Sequence, residues 1–236
     1  MTGTLDGRLA LVTGASRGIG AATARALAAA GAHVILTART TGGLEEVEQA
    51  IHDAGGHATI APLDLADGDA IGRLAGAIAG RWSALDILVL NAAMLGTLTP
   101  VAAIDAKEFG KLLSLNIGAQ QALIAAFDPL LRRSEHGRLV AVTSSVGQQP
   151  RAYWGAYGAS KAALEALALA YGDEMAGISK LKVSIVDPGA TRTAMRAKAM
   201  PGEDPATVKD PAVVGAAIAA LVASDHPAGH RLRIDG

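Results

Sequence analysis

Short runs of apolar and β-branched residues alternate with longer alanine-rich segments along almost the whole chain. Seven runs have the length and composition of buried strands, and they lie at residues 8–13, 33–37, 57–62, 86–90, 138–143, 182–186 and 231–234. The segments between them predict helices at about 19–30, 41–54, 68–81, 105–133, 157–176 and 210–224. Strands joined by helix-length segments pair in parallel, so the sequence predicts an α/β, doubly wound fold with a seven-stranded parallel sheet flanked by helices.

Length and composition favour one folded domain that spans residues 1–236. The chain has 236 residues, half of them apolar, which is enough for a sizeable core. The segment 194–210 is rich in methionine, proline and glycine, and we expect it to be the one long, mobile excursion from the domain.

Charge and residue usage exclude several classes of function. The net charge of −1 leaves no basic stripe for nucleic acid, and the absence of cysteine removes thiolate metal ligands and disulfides. The sequence also lacks an H-E-x-x-H motif, so no metal site is expected. Because no signal segment or run of eighteen apolar residues occurs, we expect a cytoplasmic protein with no membrane partner.

Residues 11–20 read LVTGASRGIG and fit two kinds of site. Three glycines lie in the turn between the first strand and the first helix, namely Gly14, Gly18 and Gly20. Backbone N–H groups at such a turn, with the positive end of the helix dipole, bind phosphate. The same letters fit G-x-S-x-G, with Ser16 as the nucleophile of a serine hydrolase. That alternative needs a later histidine, and the two late ones lie in a turn near the end of the sequence, so a nucleotide cradle is favoured.

Tyr157 and Lys161 are four residues apart on a predicted helix and therefore share one face. A lysine ammonium favours the phenolate and lowers the pKa of the tyrosine, which suits proton exchange with a carbonyl or alcohol oxygen. Ser144, at the end of the strand 138–143, can hold the same oxygen by a hydrogen bond. Taken alone, the pair would be interpreted as an ordinary surface contact.

Arginines near the glycine turn indicate which dinucleotide would bind. Arg39 follows the second strand, where NAD-binding proteins carry a carboxylate, and no acidic residue occurs before Glu45. Arg17 adds a second guanidinium inside the turn, and two planar donors suit the 2′-phosphate of NADP. The sequence therefore favours NADP over NAD, and the alternative is a pair of solvated arginines.

Several motifs in order together resemble the short-chain dehydrogenase/reductase superfamily, in its single-domain branch. The matching stretches are TGASRGIG at 13–20, LNAA at 90–93, Asn116, Ser144, YGASK at 157–161 and PGATRT at 188–193. The resemblance covers essentially the whole chain and implies a Rossmann fold with a nicotinamide cofactor. Leu90 and Ala93 depart from the family's usual N-N-A-G.

The resemblance implies a catalytic tetrad of Asn116, Ser144, Tyr157 and Lys161. Tyr157 would be the acid and base, Ser144 would orient the substrate oxygen, and Lys161 would bind the nicotinamide ribose. Asn116 would hold a water that links Lys161 to solvent. The alternative for Asn116 is a polar helix residue that faces water.

The resemblance also implies which residues bind the cofactor. They are Gly14, Ser16, Arg17, Gly18, Ile19, Gly20, Arg39, Asp64, Leu65, Asn91, Ala92, Tyr157, Lys161, Pro188, Gly189, Thr191 and Thr193. Among these, Thr193 would bind the carboxamide and Asp64 the adenine amine, whereas Asp67 is expected to cap the next helix.

The expected substrate is a small molecule with a carbonyl or a secondary alcohol. The predicted walls of its pocket are Met94, Leu95, Gln148, Trp154 and Met195. These residues suit an apolar ketone, and the chain is similar to bacterial proteins of the oxoacyl-reductase type. The alternatives are an NAD-dependent dehydrogenase, a serine hydrolase that uses Ser16, and a nucleotide-sensing protein without catalytic activity. In the family, the helices at 105–133 and 157–176 pair between subunits, which implies a homodimer or homotetramer.

Overall fold

Strands and helices alternate along the computed structural model, which describes residues 3–235. The strands are β1 (Leu9–Thr13), β2 (His33–Thr37), β3 (His57–Ile60), β4 (Ile87–Leu90), β5 (Arg138–Val142), β6 (Lys182–Asp187) and β7 (His230–Arg233). The helices are α1 (Gly18–Ala29), α2 (Thr41–Asp53), α3 (Gly68–Ala79), α4 (Ala106–Leu113), α5 (Ala119–Arg133), α6 (Gly155–Met175), α7 (Ala194–Ala199) and α8 (Pro211–Ala223).

The strands form one parallel sheet in the order β3-β2-β1-β4-β5-β6-β7. This order confirms the predicted doubly wound, seven-stranded sheet. The strand order reverses between β1 and β4, because the chain leaves β1 toward one edge and returns to the other side for β4. In such sheets ligands bind in the crevice beyond the carboxyl ends of the strands at this reversal.

Two apolar layers cover the two faces of the sheet. Alternate residues of β1 point to opposite sides, so Ala10 and Val12 pack with α1, α2 and α8, whereas Leu9 and Leu11 pack with α3, α5 and α6. Because both faces are covered, the central strands β1, β4 and β5 are buried at every position. This double burial is why the sequence shows continuous apolar runs.

Small residues bring α1 and α8 unusually close together. A Cβ atom on Gly215 would lie 2.5 Å from the backbone oxygen of Ala22, so the two helices touch through their backbones. Close helix packing of this kind explains why the core needs few aromatic side chains.

The helix predicted at 105–133 is helical throughout residues 106–133, but it is not one uniform α-helix. A π-helical turn at Ser114–Gly118 lies between α4 and α5, and such turns often occur at functional sites. The segment 194–210, predicted to be a long mobile excursion, contains local secondary structure; its mobility stays a prediction. It contains α7, a 3₁₀ turn at Pro205–Thr207 and an ion pair between Arg196 and Glu203.

Among residues 3–235, no helix is both long enough and apolar enough to cross a membrane. The same part of the chain holds no group of three or more side chains suited to bind a metal ion.

Candidate active site at the carboxyl edge of the sheet

The loop between β1 and α1 has the conformation of a phosphate cradle. Gly14 and Gly18 have φ angles of +65° and +57°, in the left-handed region that favours glycine. A Cβ on Gly20 would lie 2.3 Å from the Gly14 oxygen, so only glycine lets α1 start this close to β1. No side chain caps the start of α1, and no acidic residue lies in its first turn. The uncapped N–H groups and the open loop therefore fit a dinucleotide pyrophosphate.

Asn91 and Ala92 lie beside the glycine loop. The Asn91 amide donates to the Thr13 oxygen at 2.8 Å and to the Gly14 oxygen at 3.4 Å. The Thr13 hydroxyl accepts the backbone N–H groups of Asn91 and Ala92, both at 3.0 Å. These bonds tie the end of β4 to the end of β1 and fix the loop at the mouth of the crevice.

Ser16 lies in the same loop without a histidine partner among residues 3–235. The late histidines lie elsewhere, where the His226 ring is 3.4 Å from the Ser184 hydroxyl and packs against the His230 ring. No other histidine ring bonds a serine in the described part of the chain; His33 instead bonds Thr59 at 2.9 Å. The arrangement that a serine hydrolase requires is therefore not formed around Ser16.

Arg17 and Arg39 are both exposed. Neither belongs to an ion pair within residues 3–235. Their guanidinium groups remain available to an anionic ligand at the cradle.

Two further predicted cofactor residues follow β3. Asp64 is exposed and accepts the Ala66 N–H at 3.0 Å, whereas the Leu65 side chain is buried in the core. Contact of either residue with the cofactor stays a prediction. Asp67 caps α3 by accepting the Ala70 N–H at 3.1 Å, which confirms its predicted role.

The PGATRT stretch after β6 folds back toward the glycine loop. Gly189 has a φ of +59°, as the predicted turn at Pro188 and Gly189 requires. The hydroxyl of Thr191 is turned inward and donates to the Pro188 oxygen at 3.0 Å. Thr193 caps α7, and its methyl carbon would lie 3.3 Å from a Cβ on Gly18. Thr193 thus lies against the cradle, and its hydrogen bond to the carboxamide stays a prediction.

Asn116 is fully buried in the π-helical turn, so it does not face water. Its amide nitrogen donates to the Met94 oxygen at 2.9 Å and to the Ser160 hydroxyl at 3.0 Å, while its oxygen accepts the Met94 N–H at 2.9 Å. Ser160 in turn donates to the Tyr157 backbone oxygen at 2.7 Å. Asn116 therefore links the loop after β4 to the start of α6. The water-mediated link to Lys161 stays a prediction.

Lys161 is 2% exposed, and its ammonium donates to the Val142 oxygen at 2.8 Å. The ammonium lies 5.7 Å from the centre of the Tyr157 ring, on the shared helix face that the sequence predicted. Burial lowers the pKa of Lys161 to about 8, and the nearby Glu165 carboxylate opposes part of this effect. A bond to one backbone oxygen leaves ammonium protons for a ligand hydroxyl.

Tyr157 is 7% exposed, and its environment overturns the expectation of an acidic phenol. Burial raises its pKa above the ordinary value, and the negative charge of Asp187 raises the pKa further. Lys161 does not offset these effects, and its ammonium hydrogen-bonds the Val142 oxygen. The direction of the pKa shift is therefore opposite to the expected one.

Ser144 lies two residues after the end of β5 at Val142 and immediately precedes a 3₁₀ turn at Ser145–Gly147. This turn packs on α6 with almost no space between the two backbones. A Cβ on Gly147 would lie 3.2 Å from the Lys161 Cβ, and one on Gly158 would lie 2.8 Å from the Val146 oxygen. The two glycines thereby bring Ser144 to the helix that carries Tyr157 and Lys161.

An apolar cluster surrounds Tyr157. Its members are Leu95, Val146 and Tyr157, with Leu98, Trp154, Met195 and Ala199 packed against them. The predicted walls Leu95, Trp154 and Met195 are thus brought together. Gln148 instead bonds Glu165 at 3.1 Å, and Met94 contributes its backbone to Asn116.

The sequence prediction did not include Ser160, Glu165, Leu98 or Ala199. Ser160 lies inside the YGASK motif, and Glu165 follows Lys161 by one helical turn. The position of both residues in the sequence could therefore have indicated that they lie near the site. Nothing in the sequence indicated Leu98 and Ala199, because their contacts with the apolar cluster depend on how two distant segments fold.

The family model for short chain dehydrogenases matches residues 8–204. The chain therefore belongs to the short chain dehydrogenase family, which places it among oxidoreductases. The oxidoreductase YciK of Escherichia coli K12 is 40% identical over 211 residues, which span 88% of this chain and 83% of that protein.

Solved structures of similar proteins have the same fold. A short chain dehydrogenase of Shigella flexneri 2a, in complex with NADP, superposes with a TM-score of 0.93 at 36% identity and covers 99% of each chain. A metagenomic short-chain oxidoreductase, also in complex with NADP, superposes with a TM-score of 0.84 at 32% identity over 98% of each chain.

Proposed function

We propose that this protein is an NADP-dependent oxidoreductase that transfers a hydride between the nicotinamide and a carbonyl or secondary alcohol substrate. The observation that carries the proposal is the pairing of Tyr157 and Lys161, both buried on one face of α6 beside the Ser144 turn. The glycine loop lies at the same edge of the sheet. The phenol, the ammonium and a dinucleotide cradle are together what such a transfer needs.

Several residues support NADP as the dinucleotide. The uncapped start of α1 fits the pyrophosphate, and the exposed Arg17 and Arg39 suit the 2′-phosphate. Two of the similar structures contain NADP. NADPH, when bound, supplies the hydride.

Each residue of the tetrad has a distinct part in carbonyl reduction. The Ser144 hydroxyl donates a hydrogen bond to the carbonyl oxygen and orients it. As the hydride reaches the carbonyl carbon, Tyr157 donates its phenolic proton to that oxygen, which yields the alcohol and a phenolate. The Lys161 ammonium stabilises this phenolate, and Asn116 keeps the start of α6 in place through Ser160. A proton from solvent then restores the phenol.

The environment of Tyr157 keeps the phenol protonated before the reaction. Burial raises its pKa and so makes it a weaker acid, which means that transfer of its proton depends on the positive charge of Lys161. The apolar cluster around the phenol suits an apolar ketone, including a ketone of the 3-oxoacyl type.

We further propose that the protein works in the cytoplasm as a homodimer or homotetramer that pairs through α5 and α6. Small residues at the surface of these helices support this pairing, since Ala122 is half-buried and Ala166 is exposed. Sedimentation analysis of the purified protein measures the assembly directly, and a monomer would refute it.

The test is a panel of apolar ketones with NADPH or NADH, assayed with the native protein and Tyr157→Phe. We expect NADPH-dependent turnover that falls by about 10²- to 10⁴-fold in the variant, because general acid catalysis contributes that much. Binding of NADPH, followed by its fluorescence, should persist. Turnover that survives the loss of the hydroxyl would refute the role of Tyr157.

Other outcomes of the same experiment identify the alternatives. A preference for NADH would indicate an NAD-dependent dehydrogenase, and NADPH binding without any turnover would indicate a nucleotide sensor. Reaction of Ser16 with an active-site serine label would indicate a hydrolase.

A further inference from the structure

Glu165 is a buried carboxylate that the proposed reaction does not use. It lies on α6, one turn after Lys161, and is 4% exposed. A carboxylate is costly to bury unless hydrogen bonds and an opposite charge compensate it. Its partners therefore show what holds it there.

Three side chains from three different elements donate to Glu165. The Thr143 hydroxyl lies 2.6 Å from one oxygen, while the Gln148 amide at 3.1 Å and the Arg231 guanidinium at 2.5 Å share the other. Thr143 directly follows β5, Gln148 follows the 3₁₀ turn, and Arg231 belongs to β7. The carboxylate thus joins the sheet, the turn and the helix at one point.

Two of these donors flank the turn that carries Ser144. Thr143 immediately precedes Ser144, and Gln148 follows the turn at Ser145–Gly147. Both ends of the turn are therefore bonded to one side chain, and that side chain stands on the same helix as Tyr157 and Lys161. This arrangement couples the position of the Ser144 hydroxyl to α6.

We propose that Glu165 is a positioning residue, which holds the Ser144 turn in register with Tyr157 and Lys161. The inference rests on the proposed function. Positioning of this kind affects turnover strongly, because small displacements of a catalytic group reduce the rate far more than they reduce binding.

The charges around Glu165 support this role. Arg231 on β7 forms an ion pair with the Glu165 carboxylate. The negative charge of Glu165 also raises the pKa of Lys161 on the same helix, against the effect of burial. Asp187 on β6 acts on Tyr157 instead. Loss of the Glu165 charge should therefore also lower the pKa of Lys161, an effect that a purely structural contact would not have.

The first test compares Glu165→Gln with Glu174→Gln, an isosteric change at an exposed position of the same helix. We expect kcat of Glu165→Gln to fall by about tenfold or more, with the Kd for NADPH within about twofold of the native value. The kcat of Glu165→Gln should also decrease as the pH rises, and the midpoint of this decrease should lie at a lower pH than in the native protein, because the pKa of Lys161 is lowered. Glu174→Gln should match the native protein in all three measurements.

A double-variant cycle separates positioning from general damage. Thr143→Val removes one donor, and its effect on kcat should disappear when Glu165→Gln is already present, because both changes break the same link. Additive effects would contradict the proposal.

Hydrogen exchange tests the turn without any substrate. Amides of residues 143–149 should exchange faster in Glu165→Gln than in Glu174→Gln, while those of residues 11–20 stay unchanged. If Glu165→Gln does not fold, Thr143→Val and Gln148→Ala provide the same comparison.

The two measurements distinguish the possible failures. Unchanged exchange in the turn overturns the positioning role. Faster exchange with an unchanged kcat overturns it as well. Faster exchange in a protein that reduces no carbonyl supports the role of Glu165 in holding the turn and refutes the proposed function instead.

Discussion

The electrostatic environment of single residues determines the chemistry of this site. Tyr157 and Lys161 are both almost fully buried, and burial acts on them in opposite directions: it raises the pKa of the phenol and lowers that of the ammonium. Their proposed roles as proton donor and charge stabiliser therefore depend on pH in a way that the residue types alone do not predict.

We expect kcat for ketone reduction to fall as the pH rises through about 8. Below its pKa of about 8, Lys161 carries the charge that stabilises the phenolate, and above this pH the neutral amine no longer does so. The measurement is kcat at saturating NADPH between about pH 6 and 10.

Lys161→Arg is the control for this profile. A guanidinium stays charged throughout that range, so the decline should be absent whatever the remaining activity. The same decline in Lys161→Arg would assign it to another group.

At the scale of elements, glycines decide how closely helices approach strands and turns. Gly20 lets α1 start against the Gly14 oxygen, and Gly147 lets the Ser144 turn rest on α6. Gly72, in the exposed middle of α3, has no atom within 4 Å of the position of a Cβ. The same residue type is thus required in two places and dispensable in the third.

Gly20→Ala should lower the free energy of unfolding by about 1–3 kcal/mol, because the new methyl group overlaps the Gly14 backbone. It should also weaken NADPH binding, since the cradle must open. Urea denaturation and NADPH fluorescence measure the two effects.

Gly72→Ala is the matched control on another helix. It should raise the free energy of unfolding by about 0.5–1 kcal/mol, because alanine has the higher helix propensity and no contact opposes it. A loss of stability in Gly72→Ala that equals the loss in Gly20→Ala would show that the cradle contact is not the cause.

For the whole molecule, the sheet is shared by both apolar layers. Leu27 is fully buried in the layer of α1, and Phe127 is fully buried in the layer of α5. Since β1, β2, β4, β5 and β6 contribute to both layers, neither layer can form a core without the sheet. We therefore expect the chain to unfold as the single domain that its length predicts.

Leu27→Ala and Phe127→Ala should each lower the stability of one common transition, by about 2–5 kcal/mol. Tryptophan fluorescence reports on the second layer through Trp82, and far-ultraviolet circular dichroism reports on all helices. The two signals should coincide in both variants. Separate transitions in Leu27→Ala would instead indicate two folding units.

The sequence by itself determined the order of strands and helices, the glycine cradle and the shared face of Tyr157 and Lys161. These features depend on local periodicity, on backbone freedom at glycine and on a spacing of one helical turn, all of which can be seen in a few neighbouring residues.

Only the tertiary structure decided the π-helical turn, the burial of Asn116, the raised pKa of Tyr157 and the partners of Glu165. Each depends on residues far apart in the chain, such as Thr143 with Glu165 or Met94 with Asn116. Solvent exclusion and hydrogen-bond pairing arise only when the elements pack, and no local pattern encodes them.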